Sequence, residues 1–259
     1  MINRYVFFHD EESAAAGYGL LEDDAVAELQ SAPWYSTELT GRKFSRRQIV
    51  LHAPVEPTKI VCIGLNYHAH VKASQSADEA PEYPLIFLKP SSAVIGPGEK
   101  IVHPRQSERV DYEAELGVII GREVRNVSIE EASRYIFGLT CVNDVTARDL
   151  QRKDGQWSRA KGFDTFCPTG PCVVTGVDYS DLLVEGLLNG EVKQSGRTSL
   201  MIFDIPYLVS YVSSVMTLHT GDLISTGTPS GIGPMKPGDE VEVRIEHVGS
   251  LVNPVAGHN

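Results

Sequence analysis

The sequence predicts an α+β protein in which strands outnumber helices. Seven short segments are rich in apolar and β-branched residues and are bounded by Gly, Pro or Asp, as strands commonly are. They are "KIVCIG", "PLIFLKP", "EAELGVIIG", "GPCVVTG", "GLLNGEVKQSG", "GDLISTG" and "DEVEVRIEHVG". Only two stretches have a helical pattern, which favours a mostly β fold over a doubly wound parallel sheet.

The first strand-like segment follows a proline-rich joint. Pro54 and Pro57 lie in "LHAPVEPTK", which separates an N-terminal stretch of short apolar pieces from the β-rich remainder. We therefore expect a small N-terminal domain over residues 1–55 and a larger domain over residues 56–259.

The first helical pattern is "SIEEASRYIFG". Ser128 is a suitable N-cap, and Glu131 three residues later completes the pattern of a capping box. Gly138 is expected to end this helix.

The second helical pattern is "DIPYLVSYVSSVMTLHTG". Asp204 is the expected N-cap, and Pro206 falls in the first turn, where proline is tolerated. The apolar positions expected to face the core are Leu208, Val212, Val215 and Met216.

Composition narrows the functional class. The 259 residues include 23 Lys and Arg against 34 Asp and Glu, a formal net charge of −11. This balance argues against general binding to nucleic acid or to an anionic membrane. No apolar run approaches membrane-spanning length and the start does not resemble a signal peptide, so a cytoplasmic protein is expected. The four dispersed cysteines, without a CxxC pair, are expected to be reduced and mostly buried.

Two carboxylates stand close together in "RVDYEAELGVIIG". On a strand, Glu113 and Glu115 would leave the same face and repel each other. Asp144, in "GLTCVNDVTARDLQ", follows another apolar strand-like stretch. Three carboxylates form a hard oxygen site that suits Mg²⁺, Mn²⁺ or Ca²⁺. The alternative is an ordinary solvated strand face.

Five motifs occur in the order found in one protein family. They are "DYEAELGVIIG", "GLTCVNDVTARDLQ", "AKGFDTFCPTGP", "NGEVKQSGRTSLMI" and "GDLISTGTPSGIG", with "GLNYHAHVKA" and "PLIFLKP" upstream. From about Ile60 to the C-terminus the chain resembles the fumarylacetoacetate hydrolase family. The resemblance implies a mixed β-roll catalytic domain and Mg²⁺ or Mn²⁺, with Ca²⁺ as a possible substitute, on Glu113, Glu115 and Asp144. It also implies a homodimer and a small 2-oxo or 2,4-dioxo acid as substrate.

The same resemblance assigns roles to further residues. Lys161 matches an active-site lysine that holds or protonates an enolate, although alone it could be a surface lysine. Arg148 and Gln151 match substrate-binding positions, and Arg148 could equally form a structural ion pair. Thr228 would receive the substrate carboxylate together with nearby backbone amides; a simple tight turn is the alternative.

One motif is expected to be structural. Asn189 and Gly190 form a strong two-residue turn signal, so "NGEVKQSGRT" predicts a hairpin. Gln194 in this hairpin is a minor candidate for substrate contact.

The chain departs from the family where water is activated. The family pattern "GxNYxxHxxE" pairs a histidine with a glutamate, and here His70 matches but Ala73 replaces the glutamate. Glu79 or Glu82 could substitute by folding back. His70, and still more His68, could also be polar residues on a surface turn.

Three functional hypotheses remain. The first is a metal-dependent hydrolase that cleaves a C–C bond in a 2,4-dioxo acid such as an acylpyruvate, through an enolate that the cation stabilises, with His70 as base and Lys161 at the enolate. The second is a tautomerase, isomerase or decarboxylase of a 2-oxo acid, which Ala73 favours because these reactions need no attacking water. The third is a non-catalytic, metal-stabilised protein that binds 2-oxo acids.

Overall fold

The computed structural model describes residues 1–74 and 80–258, which form twenty strands and five α-helices. The first ten strands are β1 (Asn3–Asp10), β2 (Ala16–Leu21), β3 (Ala25–Leu29), β4 (Leu39–Ser45), β5 (Ile49–His52), β6 (Ile60–Gly64), β7 (Leu85–Lys89), β8 (Val94–Ile95), β9 (Ile101–His103) and β10 (Val110–Tyr112). The others are β11 (Ala114–Ile120), β12 (Ile136–Asn143), β13 (Thr146–Ala147), β14 (Cys167–Thr175), β15 (Leu183–Leu188), β16 (Glu191–Arg197), β17 (Leu223–Ser225), β18 (Gly233–Met235), β19 (Glu240–Ile245) and β20 (Gly249–Gly257). The predicted mostly β, α+β class is confirmed.

The helices are short. They are α1 (His68–Ser74), α2 (Ile129–Ala132), α3 (Arg148–Asp154), α4 (Ser158–Lys161) and α5 (Ile205–Val215). Turns of 3-10 helix occur at Ser91–Ala93, Ser133–Tyr135 and Thr198–Leu200. Among the described residues, no helix combines the length and apolar character that a membrane crossing requires.

The described strands form three sheets. The largest has the order β4-β3-β2-β1-β14-β12-β11-β17-β6-β7, with β5 beside β1 and β8 beside β14. The second is β13-β10-β18, and the third is β16-β15-β19-β20-β9. Most pairs are antiparallel, but β17 runs parallel to β6. This mixture of parallel and antiparallel pairs is that of a mixed β-roll.

The core lies between the large sheet and the five-stranded sheet. Val118 and Leu139 of the large sheet belong to the same buried cluster as Val184 and Val243 of the five-stranded sheet. Leu208 of α5 belongs to the same cluster. Burial of these side chains provides the main driving force for the packing of the two sheets.

The N-terminal strands extend the large sheet. β1 pairs with β14, with Asn3 opposite Thr175, and β2 to β5 continue from β1. The last N-terminal strand ends at His52, and β6 begins at Ile60. The proposed boundary near residue 55 falls in this connection and stays a prediction.

The second predicted helix is confirmed and the first is only partly so. Asp204 caps α5 by accepting a 2.9 Å hydrogen bond from the backbone N–H of Tyr207. Leu208 and Val212 are buried as expected, but Val215 is 53% exposed because it lies on the last turn. Met216 follows the helix and is half-buried.

The helix predicted at "SIEEASRYIFG" is only one turn long in the structure, Ile129–Ala132. α2 follows Ser128, whose side chain makes no capping hydrogen bond, so the predicted capping box is wrong. Gly138 does not end a helix because it lies within β12, which pairs with β11 from Ile136 onward. Pairing in the sheet has outweighed the local helical pattern.

The predicted hairpin and the predicted thiols are confirmed. Asn189 and Gly190 adopt φ angles of 53° and 79°, the left-handed geometry that a two-residue turn between β15 and β16 requires. All four cysteines are free and buried; they are Cys62, Cys141, Cys167 and Cys172.

Candidate active site

Two neighbouring strands bring the three predicted carboxylates together. Because β11 and β12 are antiparallel, with Ala114 opposite Asn143, the residue before β11 lies beside the residue after β12. These residues are Glu113 and Asp144, and the backbone N–H of Asp144 donates a 2.9 Å hydrogen bond to the carbonyl of Glu113. One oxygen each of Glu113, Glu115 and Asp144 lies within 4.8 Å of the others. All three residues are buried, so they do not form a solvated strand face.

The protein scaffold holds one oxygen of Glu115. Its Oε2 accepts a 2.5 Å hydrogen bond from Ser225 Oγ and a 2.9 Å bond from the backbone N–H of Gly227. Both donors lie at or just after the end of β17, which pairs with β11. Gly227 has φ of 99°, and a Cβ there would lie 2.7 Å from the Cβ of Asn66, so this turn requires glycine. The other Glu115 oxygen is left available as a ligand.

Lys161 lies at the centre of the cluster. Its ammonium donates to Glu113 Oε2 at 3.2 Å, to Asp144 Oδ2, and to Thr146 Oγ1 at 2.8 Å. The residue is 2% exposed, and Nζ stands 4.6 Å from the ring centroid of Phe87. The alternative of a surface lysine is therefore wrong.

A second buried lysine, Lys89, contacts the cluster and was not predicted from the sequence. Its Nζ donates a 2.6 Å hydrogen bond to Asp144 Oδ1 and a 3.0 Å bond to the carbonyl of Val145. The signal was a lysine at the end of the apolar strand "LIFLKP", a position where a charge needs a partner if the strand is buried.

The charges of the cluster fit a divalent cation. Burial would raise the pKa of Glu113, but the charges of Lys161 and Arg148 outweigh it and hold that pKa below its usual range. Burial, and then the charges of Asp144 and Glu113, raise the pKa of Glu115 to about 8. Among the described residues, Glu115 is the one carboxylate of the three that has no positive charge in contact with it. A divalent cation would provide that charge, and an all-oxygen donor set suits Mg²⁺ or Mn²⁺.

Arg148 is buried and holds three partners. Its Nε donates to Asp111 Oδ2 at 2.9 Å, its Nη1 to Gln151 Oε1 at 2.6 Å, and its Nη2 to Glu113 Oε1. The ion-pair alternative is therefore realised, while direct contact between Arg148 and a substrate stays a prediction. Asp111 is a second residue that the sequence analysis missed.

Thr228 and Gln194 bind each other. Thr228 Oγ1 donates to the carbonyl of Ala114 at 2.9 Å and accepts from Gln194 Nε2 at 2.7 Å. Its single hydroxyl proton is therefore used within the protein, and a role at the substrate carboxylate stays a prediction that depends on the backbone amides of the turn. Gln194 also accepts from the backbone N–H of Ala114 at 2.9 Å and donates to the carbonyl of Pro229 at 2.7 Å, which gives it a structural role.

His70 is buried near the carboxylates, whereas His68 is exposed. The Nδ1 atom of His70 is buried and finds no hydrogen-bond partner within residues 1–74 and 80–258. Burial lowers the pKa of His70, and the nearby charges of Arg148 and Lys161 act in the same direction against that of Glu113. Glu82 is exposed, and Glu79 lies outside the described residues.

These side chains line one small cavity. His70, Glu113, Glu115, Asp144, Arg148, Gln151, Lys161 and Thr228 all contribute to it, together with Phe87 and Trp157. Its volume is about 20 Å³, room for about one water molecule. A larger cavity of about 510 Å³ lies between Phe7, His52 and Ile95 and contains none of these predicted residues. The ionisable side chains of the candidate active site thus converge on the smaller cavity.

Fold and site together define a β-roll protein with a buried centre of three carboxylates and two lysines. A sequence model of the fumarylacetoacetate (FAA) hydrolase C-terminal domain matches residues 59–256. The chain belongs to the fumarylacetoacetate hydrolase family and is an enzyme of that family.

Relatives with known sequence or structure support this assignment. The chain is 55% identical over 199 residues to an uncharacterised protein of Methanocaldococcus jannaschii, covering 77% of this chain and 83% of that one. It is 40% identical over 243 residues to oxaloacetate tautomerase YisK of Bacillus subtilis, covering 89% and 80%. The solved structure of 5-carboxymethyl-2-hydroxymuconate delta-isomerase from Mycobacterium smegmatis has a TM-score of 0.92 and 42% identity, covering 98% and 100%. The activities in these two names belong to those proteins, and both are isomerisations.

Proposed function

We propose that this enzyme is a divalent-metal-dependent keto–enol tautomerase of a short 2-oxo dicarboxylic acid of the oxaloacetate type. The observation that carries the proposal is the buried Nδ1 of His70, which has no hydrogen-bond partner among the described residues. Tautomerisation requires only a base that moves a proton, whereas hydrolysis also requires a base that is oriented to activate water. The name of the Bacillus subtilis relative supports the same reaction.

Glu113, Glu115 and Asp144 are the proposed ligands of Mg²⁺ or Mn²⁺, with Ca²⁺ as a possible substitute. When bound, the cation withdraws electron density from the 2-oxo group and so makes the protons on C3 more acidic. The hydrogen bonds from Ser225 and Gly227 to one oxygen of Glu115 keep that carboxylate in place before the cation arrives.

His70 moves the proton in this scheme. Because burial lowers its pKa, the imidazole is neutral near pH 7 and accepts a proton from C3 of the keto form. The electron pair of the broken C–H bond forms the C2–C3 double bond, and the C2 oxygen becomes negative. The imidazolium then returns its proton to the C2 oxygen, which gives the enol, or to C3, which restores the ketone.

Lys161 stabilises the negative oxygen. Burial would lower its pKa, but the charges of Asp144 and Glu113 outweigh this and raise it, so the side chain stays protonated. Its three N–H groups already donate to Glu113, Asp144 and Thr146, so Lys161 stabilises the enolate through its nearby positive charge. Lys161 therefore favours the enolate without competing with His70 for the transferred proton.

Ala73 argues against the hydrolase predicted from the sequence. It stands three residues after His70 on α1, where the family pattern has a glutamate. A methyl group cannot orient the imidazole or accept its proton. C–C hydrolysis and decarboxylation are the competing outcomes of the experiment below.

The test follows the two products separately. Metal-stripped enzyme with Mg²⁺ or Mn²⁺ restored is given oxaloacetate or acetylpyruvate in ¹⁸O-labelled water, and the same ions without enzyme are the control. We expect enzyme-dependent loss of the enol absorbance of oxaloacetate with no additional pyruvate. Pyruvate and ¹⁸O-labelled acetate from acetylpyruvate would establish hydrolysis, and pyruvate with CO₂ from oxaloacetate would establish decarboxylation. Either result would overturn the proposal.

The predicted homodimer and the cytoplasmic location belong to this proposal as well. Sedimentation equilibrium of the full chain should give twice the mass of one chain, and cell fractionation should recover the protein with other cytoplasmic enzymes. A monomer, or recovery with membranes, would contradict these two predictions.

A further inference from the structure

A buried carboxylate next to the predicted ligands has no role in the scheme above. Asp111 is 0% exposed and lies on β10, two residues before Glu113. Its Oδ1 accepts a 2.8 Å hydrogen bond from Arg109 Nε, and its Oδ2 accepts bonds from Arg109 Nη2 at 3.2 Å and Arg148 Nε at 2.9 Å. Two arginines therefore fix both oxygens of this carboxylate.

Charge balance alone does not require that Arg148 contact Asp111 in addition to Glu113. Arg109 already pairs with both Asp111 oxygens, and Arg148 already pairs with Glu113. The additional contact between Arg148 Nε and Asp111 constrains geometry, because a guanidinium is planar and a partner at Nε sets the directions of both Nη groups.

The backbone makes the constraint rigid. β10 pairs with β13, with Asp111 opposite Thr146, and α3 begins with Arg148 immediately after β13. The backbone N–H of Arg148 also donates a 2.8 Å hydrogen bond to the carbonyl of Arg109. Asp111 and Arg148 are thus tied together through both main chain and side chains.

The orientation of Gln151 follows from that of Arg148. Gln151 lies three residues later on α3, and its Oε1 accepts a 2.6 Å hydrogen bond from Arg148 Nη1. A guanidinium has only donors, so it must face the amide oxygen. The NH₂ group of Gln151 is consequently left as a donor, and the residue lines the cavity of the candidate active site.

We infer that Asp111 is a positioning residue that, through Arg148, aims the Gln151 amide at the distal carboxylate of a dicarboxylic 2-oxo acid. The inference rests on the proposed function for its substrate class. It assigns the preference for a second carboxylate to a residue that touches neither cation nor substrate. Loss of Asp111 should therefore impair recognition of the distal group and spare recognition of the 2-oxo acid end.

The test compares two ligands that cannot be turned over. Oxalate resembles the enolate end of the substrate and has no distal group; 3,3-difluorooxaloacetate has the distal carboxylate but no C3 proton. Binding of both is measured by calorimetry on the Mn²⁺-loaded enzyme. In Asp111→Asn we expect difluorooxaloacetate to bind about 10-fold to 100-fold more weakly, as for loss of one hydrogen bond to a charged group, with oxalate unchanged within about twofold. Equal weakening of both ligands, or no weakening of either, would overturn the inference.

Two further variants distinguish a positioning role of Asp111 from a general structural effect of its substitution. Asp222→Asn removes another buried carboxylate, one that pairs with Lys59 away from the cavity, and should leave the ratio of the two affinities unchanged. In a Gln151→Ala background, Asp111→Asn should weaken difluorooxaloacetate no further. Additive effects of the two substitutions would mean that Asp111 does not act through Gln151.

If Asp111→Asn does not fold, a substitution of Arg148 tests the same inference. Arg148→Lys keeps the positive charge but cannot hold three partners in the fork geometry of a guanidinium. This variant should therefore also bind difluorooxaloacetate more weakly relative to oxalate. An unchanged affinity ratio in this variant would overturn the inference. Because neither ligand reacts, selective binding without tautomerisation of oxaloacetate would defeat the proposed function and leave this inference standing. Tautomerisation of oxaloacetate, together with an unaltered ratio of the two affinities in Asp111→Asn, would support the proposed function and overturn this inference.

Discussion

Lys89 donates a 2.6 Å hydrogen bond to Asp144, and the two side chains are 0% and 1% exposed. A buried pair of this kind is costly to break because the remaining charge stays out of water. In this chain the remaining charge would be on a predicted metal ligand. The pair therefore links the stability of the β-roll to the state of its candidate metal site.

The first prediction concerns this pair. Lys89→Met should lower the free energy of unfolding of the metal-free protein by about 3 kcal/mol, the usual cost of leaving one partner of a buried pair uncompensated. Added Mn²⁺ should recover more stability in the variant than in the wild type, because the cation also neutralises Asp144. Urea unfolding with and without Mn²⁺ measures both effects. Lys59→Met, which breaks a pair with the buried Asp222, is the control and should gain only as much stability from Mn²⁺ as the wild type does.

The second prediction concerns Glu115. Glu115→Gln removes a charge that its neighbours oppose, so the metal-free variant should melt at a higher temperature than the wild type near pH 8. Calorimetric melting measures this change. Glu28→Gln is the contrasting control, since Glu28 is paired with Arg42 and its loss should lower the melting temperature. A lower melting temperature for Glu115→Gln would show that its charge is already balanced.

The third prediction is a pH dependence. The pKa of Glu115 is raised in the folded state from 4.5 to about 8, so its contribution to stability is fully present below pH 4.5 and is lost as the pH rises toward 8. The difference in unfolding free energy between metal-free wild type and Glu115→Gln should therefore change in favour of the variant across this window.

Cation binding requires the charged form of Glu115, so binding should release close to one proton per ion at pH 6.5. Calorimetry in buffers of different ionisation enthalpy counts that proton, and a count of zero would contradict the assignment.

The fourth prediction concerns His70. His70→Ala should lower kcat for tautomerisation by about 10²-fold to 10⁴-fold, the usual contribution of a general base, and should leave Mn²⁺ affinity unchanged. His68→Ala is the matched control on the same helix, because His68 is exposed, and should preserve both quantities. Equal kcat values in the two variants would remove His70 from the proposed reaction.

The sequence was sufficient to predict the three carboxylates and the strands that carry them. Glu113 and Glu115 follow the two-residue period of a strand, with Glu113 directly before β11, and Asp144 directly follows β12. These are local patterns, and the antiparallel pairing of β11 with β12 turns them into one site.

Lys89 and Asp111 could not be placed in the same way. Lys89 is separated from Asp144 by 55 residues, and Asp111 from Arg148 by 37, so their contacts depend on the order of strands in the sheets. The helices that carry Arg148 and Lys161 have only seven and four residues, too few for a periodic pattern. Those two residues were found through the family resemblance, which gave their motifs but not their partners.

The central claim is that Glu113, Glu115 and Asp144 hold a divalent cation on which activity depends. Equilibrium dialysis of metal-stripped wild type and Glu115→Gln against Mn²⁺, with oxaloacetate tautomerisation assayed in the same samples, tests it most directly. We predict one ion per wild-type chain, activity that rises with occupancy, and affinity in the variant more than about 100-fold weaker, beyond the loss typical of outer partners of metal ligands. Full activity without metal, or unchanged Mn²⁺ binding in Glu115→Gln, would contradict the claim.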